Sequence, residues 1–279
     1  MSATTDAEYL AVLVLASLVP ALIYLAWVRK SERYGGEAWG PLLSSFVYGA
    51  LFATLVAAIL EGVLVALGTS VSQKYPGPEF LFLNGNSTLG AFFLVLVIAP
   101  FIEEALKASG VVGRKARITK IADAPVFGAS VGLGFGFFET FLYGLGAYLT
   151  GGLAAGIVLI ALRSVSSVVL HGSSTGMFGY GYGRSRFNVP GPGSGAYFML
   201  AVGMHASFNA LASLAAILMV FGIGGLAVET ASFLAFVAVV AFAFGAIEHV
   251  RSVIHGSDYP ALVGRPRVPQ SVPRPPPGR

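Results

Sequence analysis

Charged side chains lie inside segments of the sequence that are otherwise apolar, and these side chains are the ones that could do chemistry. The set consists of four acids and two bases: Glu61, Glu103, Glu104, Lys107, Glu139 and Arg163. A charge at the centre of a bilayer costs roughly 2.5–3.5 kcal/mol to insert, so such residues persist where they face one another or water. His171 and His205 lie in segments of the same kind. The combination predicts a functional site within a membrane.

Helical spacing groups these residues on shared faces. Glu103 and Glu104 precede Lys107 by four and three residues, which places all three on one face of a helix. Other members are one or two turns apart: Phe135 and Glu139, His205 and Asn209, and Arg163 and His171. Counted at about 1.5 Å per residue, the acids and histidines lie at a similar depth in the cytoplasmic half of the membrane, with Glu139 nearer the midplane.

Two hydrolytic mechanisms fit a membrane site that contains carboxylates, imidazoles and an amide. In the first, Glu103 or Glu104 is the general base that takes a proton from water. His205 and Asn209 then stabilise the oxyanion of the tetrahedral intermediate. This mechanism requires no cofactor.

In the second mechanism, a metal ion acidifies the water. His171, His205 and one glutamate, with Glu103 as the candidate, are predicted to bind a zinc ion, because two imidazoles and a carboxylate are typical of catalytic zinc sites. In either mechanism, Lys107 and Arg163 compensate the acidic charge and fix the rotamers of the carboxylates. Both mechanisms remain open at the level of the sequence.

Other intramembrane hydrolases need residues that this sequence does not place in its apolar segments. The three aspartates, Asp6, Asp123 and Asp258, lie outside the middle of these segments, which excludes an aspartyl protease. The sequence contains no H-E-x-x-H motif and no cysteine. Residues 172–176 match G-x-S-x-G, but that motif requires a strand-to-helix turn, and this stretch is predicted to be helical. Glu61 and His249 stand alone, and we interpret them as polar groups of helix packing.

The composition predicts the elements that must position these residues. Apolar residues make up 56% and charged residues 11% of the 279-residue chain, whereas soluble domains carry about 25% charged residues. Several apolar runs exceed the roughly 20 residues that a helix needs to cross a bilayer. We predict an all-α bundle with about seven transmembrane spans, at residues 9–28, 42–68, 89–112, 126–149, 153–180, 196–221 and 228–249.

Basic residues are confined to alternate loops. The first, third and fifth loops and the C-terminal segment hold nearly all of them, whereas the opposite loops hold only Lys74. By the positive-inside rule, the N-terminus lies outside and the C-terminus in the cytoplasm. The same distribution accounts for the pI of about 9.4 without a nucleic-acid partner. The sequence therefore predicts a multi-pass protein of the cell membrane.

The chain divides into a membrane domain and a tail. Residues 1–255 are predicted to form one transmembrane domain, whose motif-bearing core covers about 89–221. Residues 256–279 are rich in Pro and Arg and are predicted to be a disordered cytoplasmic tail. Gly128, Gly132 and Gly136 recur every four residues, a spacing that lets two helices pack closely.

Three motifs together resemble a known family. They are E-E-x-x-K at 103–107, F-x-x-x-E at 135–139 and H-x-x-x-N at 205–209, with Arg163 and His171 on the intervening helix. Their order and spacing are similar to those of the PrsW family of intramembrane proteases, which are related to the CAAX prenyl proteases and bacteriocin-processing enzymes. The resemblance covers roughly residues 100–210.

The resemblance implies a membrane-embedded metallopeptidase in which Glu103, Glu104, His171 and His205 are essential. It also implies a membrane-tethered protein substrate, such as an anti-sigma-factor-like regulator. CAAX prenyl proteases carry histidine where this chain has Glu139, which argues against prenyl-peptide processing. Thr140 follows Glu139, whereas Asn often follows the acid in the family.

Two other classes of function compete with the peptidase. A proton-coupled transporter would use the buried glutamates as relays, but it predicts internal repeats with broken helices, which the sequence does not show. A non-catalytic scaffold would bind membrane segments in the same groove. It predicts that Glu→Gln substitutions leave function intact.

Overall fold

The computed structural model describes residues 3–77, 82–85 and 87–259, and this part of the chain contains helices and no strand. The prediction of an all-α fold is confirmed. Ten α-helices follow one another: α1 (Ala3–Arg29), α2 (Trp39–Val47), α3 (Thr54–Lys74), α4 (Thr88–Phe93), α5 (Ala99–Val112), α6 (Asp123–Ser164), α7 (Ser167–Arg186), α8 (Ser194–Ala212), α9 (Leu214–Val220) and α10 (Leu226–Ser257). Two π-helical segments, π1 (Tyr48–Ala53) and π2 (Leu94–Ile98), join α2 to α3 and α4 to α5.

Helix length and hydropathy identify five candidate spans among the described residues, or six when the bent pair α8 and α9 is taken as one span. The five are Asp6–Arg29, Trp39–Lys74, Thr88–Val112, Asp123–Arg186 and Leu226–Ser257. Their number and composition show a multi-pass membrane protein. The count of seven and the orientation of the termini stay predictions, because helix length alone does not place a bilayer.

The 64-residue stretch Asp123–Arg186 is not one straight rod. Gly152 has φ 80° and ψ 179°, a conformation that glycine adopts without the steric cost of a Cβ. The chain reverses there, since a Cβ at Gly144 would contact the Ile160 side chain on the other arm. A second, shorter break separates Ser164 from Ser167.

The first arm of α6 (residues 123–151) packs closely against α7. A Cβ on any of the three glycines spaced four apart would meet backbone atoms of α7: Gly128 at Thr175, Gly132 at His171 and Gly136 at Val168. As the residue number rises along α6 from 128 to 136, the number of the contacted residue on α7 falls from 175 to 168, so the two helices are antiparallel. The close packing that the glycine spacing predicts is thus present, and it places Glu139 near His171.

The bundle carries its large apolar side chains on the outside. Exposed examples occur on α1, α3 and α10, including Ile23, Ile59 and Phe233. Soluble monomers rarely expose apolar patches of this extent, whereas a bilayer solvates them. The buried interior of α6 and α7 is instead rich in Gly, Ala and Ser, which allows close approach of helix backbones.

The basic loops meet at one end of the bundle around Lys120. Its Nζ lies 2.5 Å from Oδ1 of Asp258, 3.8 Å from Asp123 and 4.0 Å from Glu32. Asp258 also accepts hydrogen bonds from the backbone N–H groups of Tyr34 (3.0 Å) and Arg33. This Lys120 cluster ties together the loop after α1, the loop before α6 and the end of α10.

The predicted division of the chain at residue 255 falls near the end of α10 at Ser257. The structure places residues 256–259 at the Lys120 cluster or next to it. The remainder of the predicted tail, from residue 260, lies outside the described residues. The domain division therefore stays a prediction.

Candidate active site

The residues singled out in the sequence surround one cavity of about 380 Å³ inside the bundle. Helices α3, α5, α6, α7 and α8 supply its polar wall: Glu61, Glu103, Glu139, Arg163, Ser167, His171, His205 and Asn209. Glu104 and Lys107 lie directly behind this wall and are fully buried. These side chains face one another in this arrangement, and their depth in the membrane stays a prediction.

Glu104 holds His205 in a fixed orientation. Its Oε1 lies 3.1 Å from His205 Nδ1 and accepts a hydrogen bond of 3.0 Å from Ser174 Oγ. Thr175 Oγ1 donates to the other carboxylate oxygen at 3.5 Å. Because a carboxylate accepts and does not donate, His205 Nδ1 carries the hydrogen, and Nε2 is left with its lone pair.

Lys107 supplies the positive charge of this layer. Its Nζ lies 2.8 Å from Glu104 Oε1, 3.5 Å from Glu103 Oε2 and 2.9 Å from His171 Nδ1. The ammonium also lies 4.2 Å from the centre of the Phe135 ring, a cation–π contact. A fully buried lysine is stable only when paired, and here the pairing joins α5 to α7.

Glu103 faces the cavity with an oxygen that has no hydrogen-bond partner among the described residues. This Oε2 atom lies 3.8 Å from His205 Nε2. Both atoms are acceptors in the tautomer that Glu104 fixes, so neither can satisfy the other. A water that donates two hydrogens, or a cation, satisfies both atoms.

Glu139 forms a second ionic layer with Arg163. Arg163 donates to Glu139 Oε2 at 2.6 Å and to Ser167 Oγ at 2.9 Å. The same carboxylate oxygen lies 2.8 Å from His171 Nε2. The break between α6 and α7 separates Arg163 from Ser167 and His171, and all three contact the Glu139 carboxylate.

Two of the three candidate metal ligands, Glu103 and His205, could bind an ion as they stand, whereas the third, His171, must first change a partner. One ligand atom each from Glu103, His171 and His205 lies within 4.8 Å of the others. Two imidazoles and a carboxylate match the ligands of catalytic zinc sites, and the Glu104–His205 hydrogen bond matches the usual support of a metal-binding histidine. Glu103 Oε2 has no hydrogen-bond partner among the described residues, although the Lys107 ammonium lies 3.5 Å away, whereas both nitrogens of His171 already have partners. Metal binding therefore requires His171 to exchange one of them.

Asn209 lies one turn beyond His205 and also lines the cavity. Its Nδ2 donates to the carbonyl oxygen of Val95 at 2.9 Å. Val95 belongs to π2, and π-helical turns leave carbonyl groups out of the regular α-helical pattern. One N–H of the Asn209 amide is thereby used for structure, and the second N–H is left for a ligand.

Three residues contribute to the site although the sequence patterns do not indicate it. Ser174 belongs to the G-x-S-x-G stretch, which is helical as predicted, yet its hydroxyl donates to Glu104. Ser167 donates to Glu139 at 3.4 Å. Glu61, which the sequence suggested was a packing residue, lines the cavity. A hydroxyl or a lone acid leaves no spacing signal, so only the fold brings these residues to the site.

The chain matches known proteins over the same region. The model of the family described as PrsW family intramembrane metalloprotease matches residues 37–246. Protease PrsW of Clostridioides difficile (strain 630) is 26% identical over 134 residues, which cover 47% of this chain and 50% of that protein. The alignment thus spans about half the length of this curated relative.

No solved structure matches the chain. The family model covers most of the sequence, including the helices that line the cavity. It does not favour a transporter or a scaffold. The chain therefore belongs to the PrsW family of intramembrane metalloproteases.

Proposed function

We propose that this protein is an intramembrane peptidase that hydrolyses peptide bonds of membrane-associated proteins. The observation that carries the proposal is the pair of unsatisfied acceptors, Glu103 Oε2 and His205 Nε2, 3.8 Å apart in a cavity inside the bundle. A water between them donates a hydrogen to each. Its oxygen lone pairs are then free to attack a carbonyl carbon.

Glu103 is the general base in this proposal. As the water oxygen bonds to the carbonyl carbon, one water proton moves to Glu103 Oε2. The same proton then passes to the nitrogen of the leaving amine, and the C–N bond breaks. The products are an amine and a carboxylic acid, which keeps the second water proton, and Glu103 returns to its starting state. General acid–base catalysis of this kind contributes about 10²–10⁴-fold to a rate.

The neighbouring residues position the reacting groups. Glu104 holds the His205 ring so that Nε2 faces Glu103, and Lys107 balances the charge of both glutamates. In this proposal the second N–H of Asn209 donates to the developing oxyanion, while its first N–H donates to the Val95 carbonyl. Arg163 holds Glu139, and Glu139 holds His171.

Glu103, His171 and His205 are the residues that would hold zinc. The bound ion would acidify the water and polarise the substrate carbonyl. Glu104 supports His205 as a ligand, and Glu139 is the partner that His171 Nε2 exchanges for the ion. The family description as a metalloprotease favours this form of the site.

The substrate class follows from the position of the cavity and from the resemblance to PrsW proteases. The cavity lies among helices whose outer faces are apolar, so a segment that reaches it must cross or adjoin the bilayer. A membrane-tethered regulator, such as an anti-sigma-factor-like protein, has such a segment. We assign this class as the physiological substrate.

The proposal is tested with the purified full-length protein in detergent and a quenched-fluorescent transmembrane peptide. Wild type is compared with Glu103→Gln and His205→Ala, each with and without a zinc chelator. Glu248→Gln is the matched control, because Glu248 is exposed on α10 and pairs with Arg251 outside the cavity. We expect turnover in wild type and in the control, and a loss of about 10²-fold or more in both site variants.

The chelator separates the two mechanisms. Loss of turnover on chelation that zinc restores supports the metal form. Turnover that is lost in the variants but indifferent to chelation supports Glu103 as a metal-free base. Equal cleavage by wild type and both site variants contradicts the proposed site.

A further inference from the structure

Glu61 is a carboxylate that the proposed reaction does not use. Four residues of α3 line the cavity with helical spacing: Thr54, Ala57, Ala58 and Glu61. Glu61 is the polar end of this stripe, two turns beyond Thr54 toward Lys74. Its Oε1 atom is buried and has no hydrogen-bond partner among the described residues. The carboxylate therefore faces the cavity with capacity for a ligand.

The positive charges near the cavity are already engaged by other acids. Lys107 lies against Glu104 and Glu103 at 2.8 and 3.5 Å. Arg163 lies 2.6 Å from Glu139, and its guanidinium carbon lies 4.0 Å from the centre of the Tyr143 ring. In the part of the chain that the structure describes, no ion pair is formed by Glu61. A carboxylate with one buried oxygen and no cation is unfavourable, and an incoming cation lowers that cost.

A metal ion at the candidate site would still leave Glu61 without a cation. The three residues whose donor atoms converge are Glu103, His171 and His205, and Glu61 is not among them. It shares the cavity with them but lies on a different helix. A ligand for Glu61 must therefore come from the molecule that enters the cavity.

We infer that Glu61 binds a basic side chain of the substrate and so selects substrates that carry lysine or arginine near the scissile bond. The inference rests on the proposed peptidase function, since it names a substrate feature read by the same cavity. An ammonium or guanidinium group that reaches Glu61 forms a charge-assisted hydrogen bond in a site with little water. Such bonds are the strong ones in proteins.

The test uses pairs of quenched-fluorescent transmembrane peptides that differ only by lysine or norleucine, placed at each position near the scissile bond in turn. Norleucine keeps the aliphatic stem and lacks the ammonium. We expect wild type to prefer lysine at one position by roughly 10- to 100-fold in kcat/KM, mainly through a lower KM. In Glu61→Gln, the ratio for that position falls toward one.

Two further variants sharpen the result. Glu61→Lys should transfer the preference to a peptide with glutamate at the same position. Glu229→Gln, which neutralises an exposed glutamate at the start of α10, should keep the wild-type ratio. Folding of each variant is checked by its elution in detergent and by its thermal unfolding.

The outcomes separate this inference from the proposed function. A wild-type enzyme that cleaves both peptides of every pair equally overturns the role of Glu61, even if no variant folds. A lysine preference that Glu61→Gln retains also overturns it. Failure of wild type to cleave any peptide would instead count against the peptidase function itself.

Discussion

Lys107 offers the sharpest test of the electrostatics of this site. Its Nζ is the cation shared by Glu103, Glu104 and His171, and its side chain is 0% exposed. Replacement by Met keeps the length and the apolar stem but removes the charge. Two carboxylates then remain buried without a cation. Breaking a buried pair in this way costs about 3–5 kcal/mol, so we expect the free energy of unfolding of Lys107→Met to fall by that amount.

A second ion pair in the same chain provides the control. Arg251 and Glu248 are also three residues apart on a helix and also 2.8 Å apart, but their side chains are 24% and 53% exposed. An exposed pair contributes about 0–1 kcal/mol. The guanidinium carbon of Arg251 also lies 4.2 Å from the centre of the Trp27 ring. The stability lost in Arg251→Met is therefore an upper bound for the contribution of the ion pair. Spacing and distance match, and burial is the main difference.

The assay is reversible unfolding in mixed detergent micelles, followed by far-UV circular dichroism. Glu104→Gln and the double variant Lys107→Met with Glu104→Gln complete a cycle. Because the double variant buries one uncompensated carboxylate fewer than Lys107→Met, it should be the more stable of the two, with a coupling energy of about 0.5–3 kcal/mol. Additive losses, or a Lys107→Met loss no larger than that of Arg251→Met, would refute the reasoning.

Two further predictions concern packing and pH. A Cβ at Gly132 would meet the carbonyl oxygen of His171, whereas one at Gly146 on the same helix meets nothing within 4 Å. Gly132→Ala should therefore destabilise the fold by about 1–3 kcal/mol. Gly146→Ala should not destabilise the fold, because alanine is favoured over glycine by up to about 1 kcal/mol in a helix interior. Equal unfolding midpoints for the two variants would contradict the close contact of α6 with α7. Burial raises the pKa of Glu32, outside the spans, from 4.5 to about 7, although the Glu37 N–H and Lys120 oppose the change. The folded chain then holds this proton more tightly than the unfolded chain, so stability declines as the pH rises from about 4.5 to about 7. Melting temperatures across this range should fall less in Glu32→Gln than in wild type, and parallel curves would show that Glu32 does not contribute.

The sequence predicts the helical class and the shared face of α5 well, because both follow from periodicity. Glu103, Glu104 and Lys107 lie on one helix, and a spacing of three and four residues fixes their neighbourhood. The spacing does not say that Glu103 faces the cavity while Glu104 faces His205. That difference depends on where α8 packs, which no local pattern encodes.

Breaks in the helices are the part that periodicity does not predict. The sequence predicts one continuous helix for Arg163 and His171, but the chain breaks between Ser164 and Ser167. Arg163 and His171 both contact Glu139, one from each side of the break. The π2 segment is a similar case, since the carbonyl of Val95 is available to Asn209 only where the α-helical pattern is interrupted.

Glu61 shows the limit of reasoning from residue spacing. A single acid in an apolar helix has no partner at three or four residues, so the sequence suggested only a packing role. Its position at the site depends on the cavity between α3, α5, α6, α7 and α8, which exists only in the fold. Ser174 is a related case, because the G-x-S-x-G pattern indicates only a catalytic turn, whereas in the fold the Ser174 hydroxyl donates to Glu104.

The arrangement of the two buried cations bears on how the chain enters the membrane during synthesis. Lys107 meets Glu103 and Glu104 within its own helix, and Arg163 meets Glu139 across the reversal at Gly152. Each cation therefore finds its acid in the segment that emerges from the ribosome with it. His205 lies on α8, which is synthesised later, and a neutral imidazole needs no ionic partner. Each buried cation can thus enter the membrane with an acidic partner from its own helix or hairpin, and the site is completed only when α8 docks.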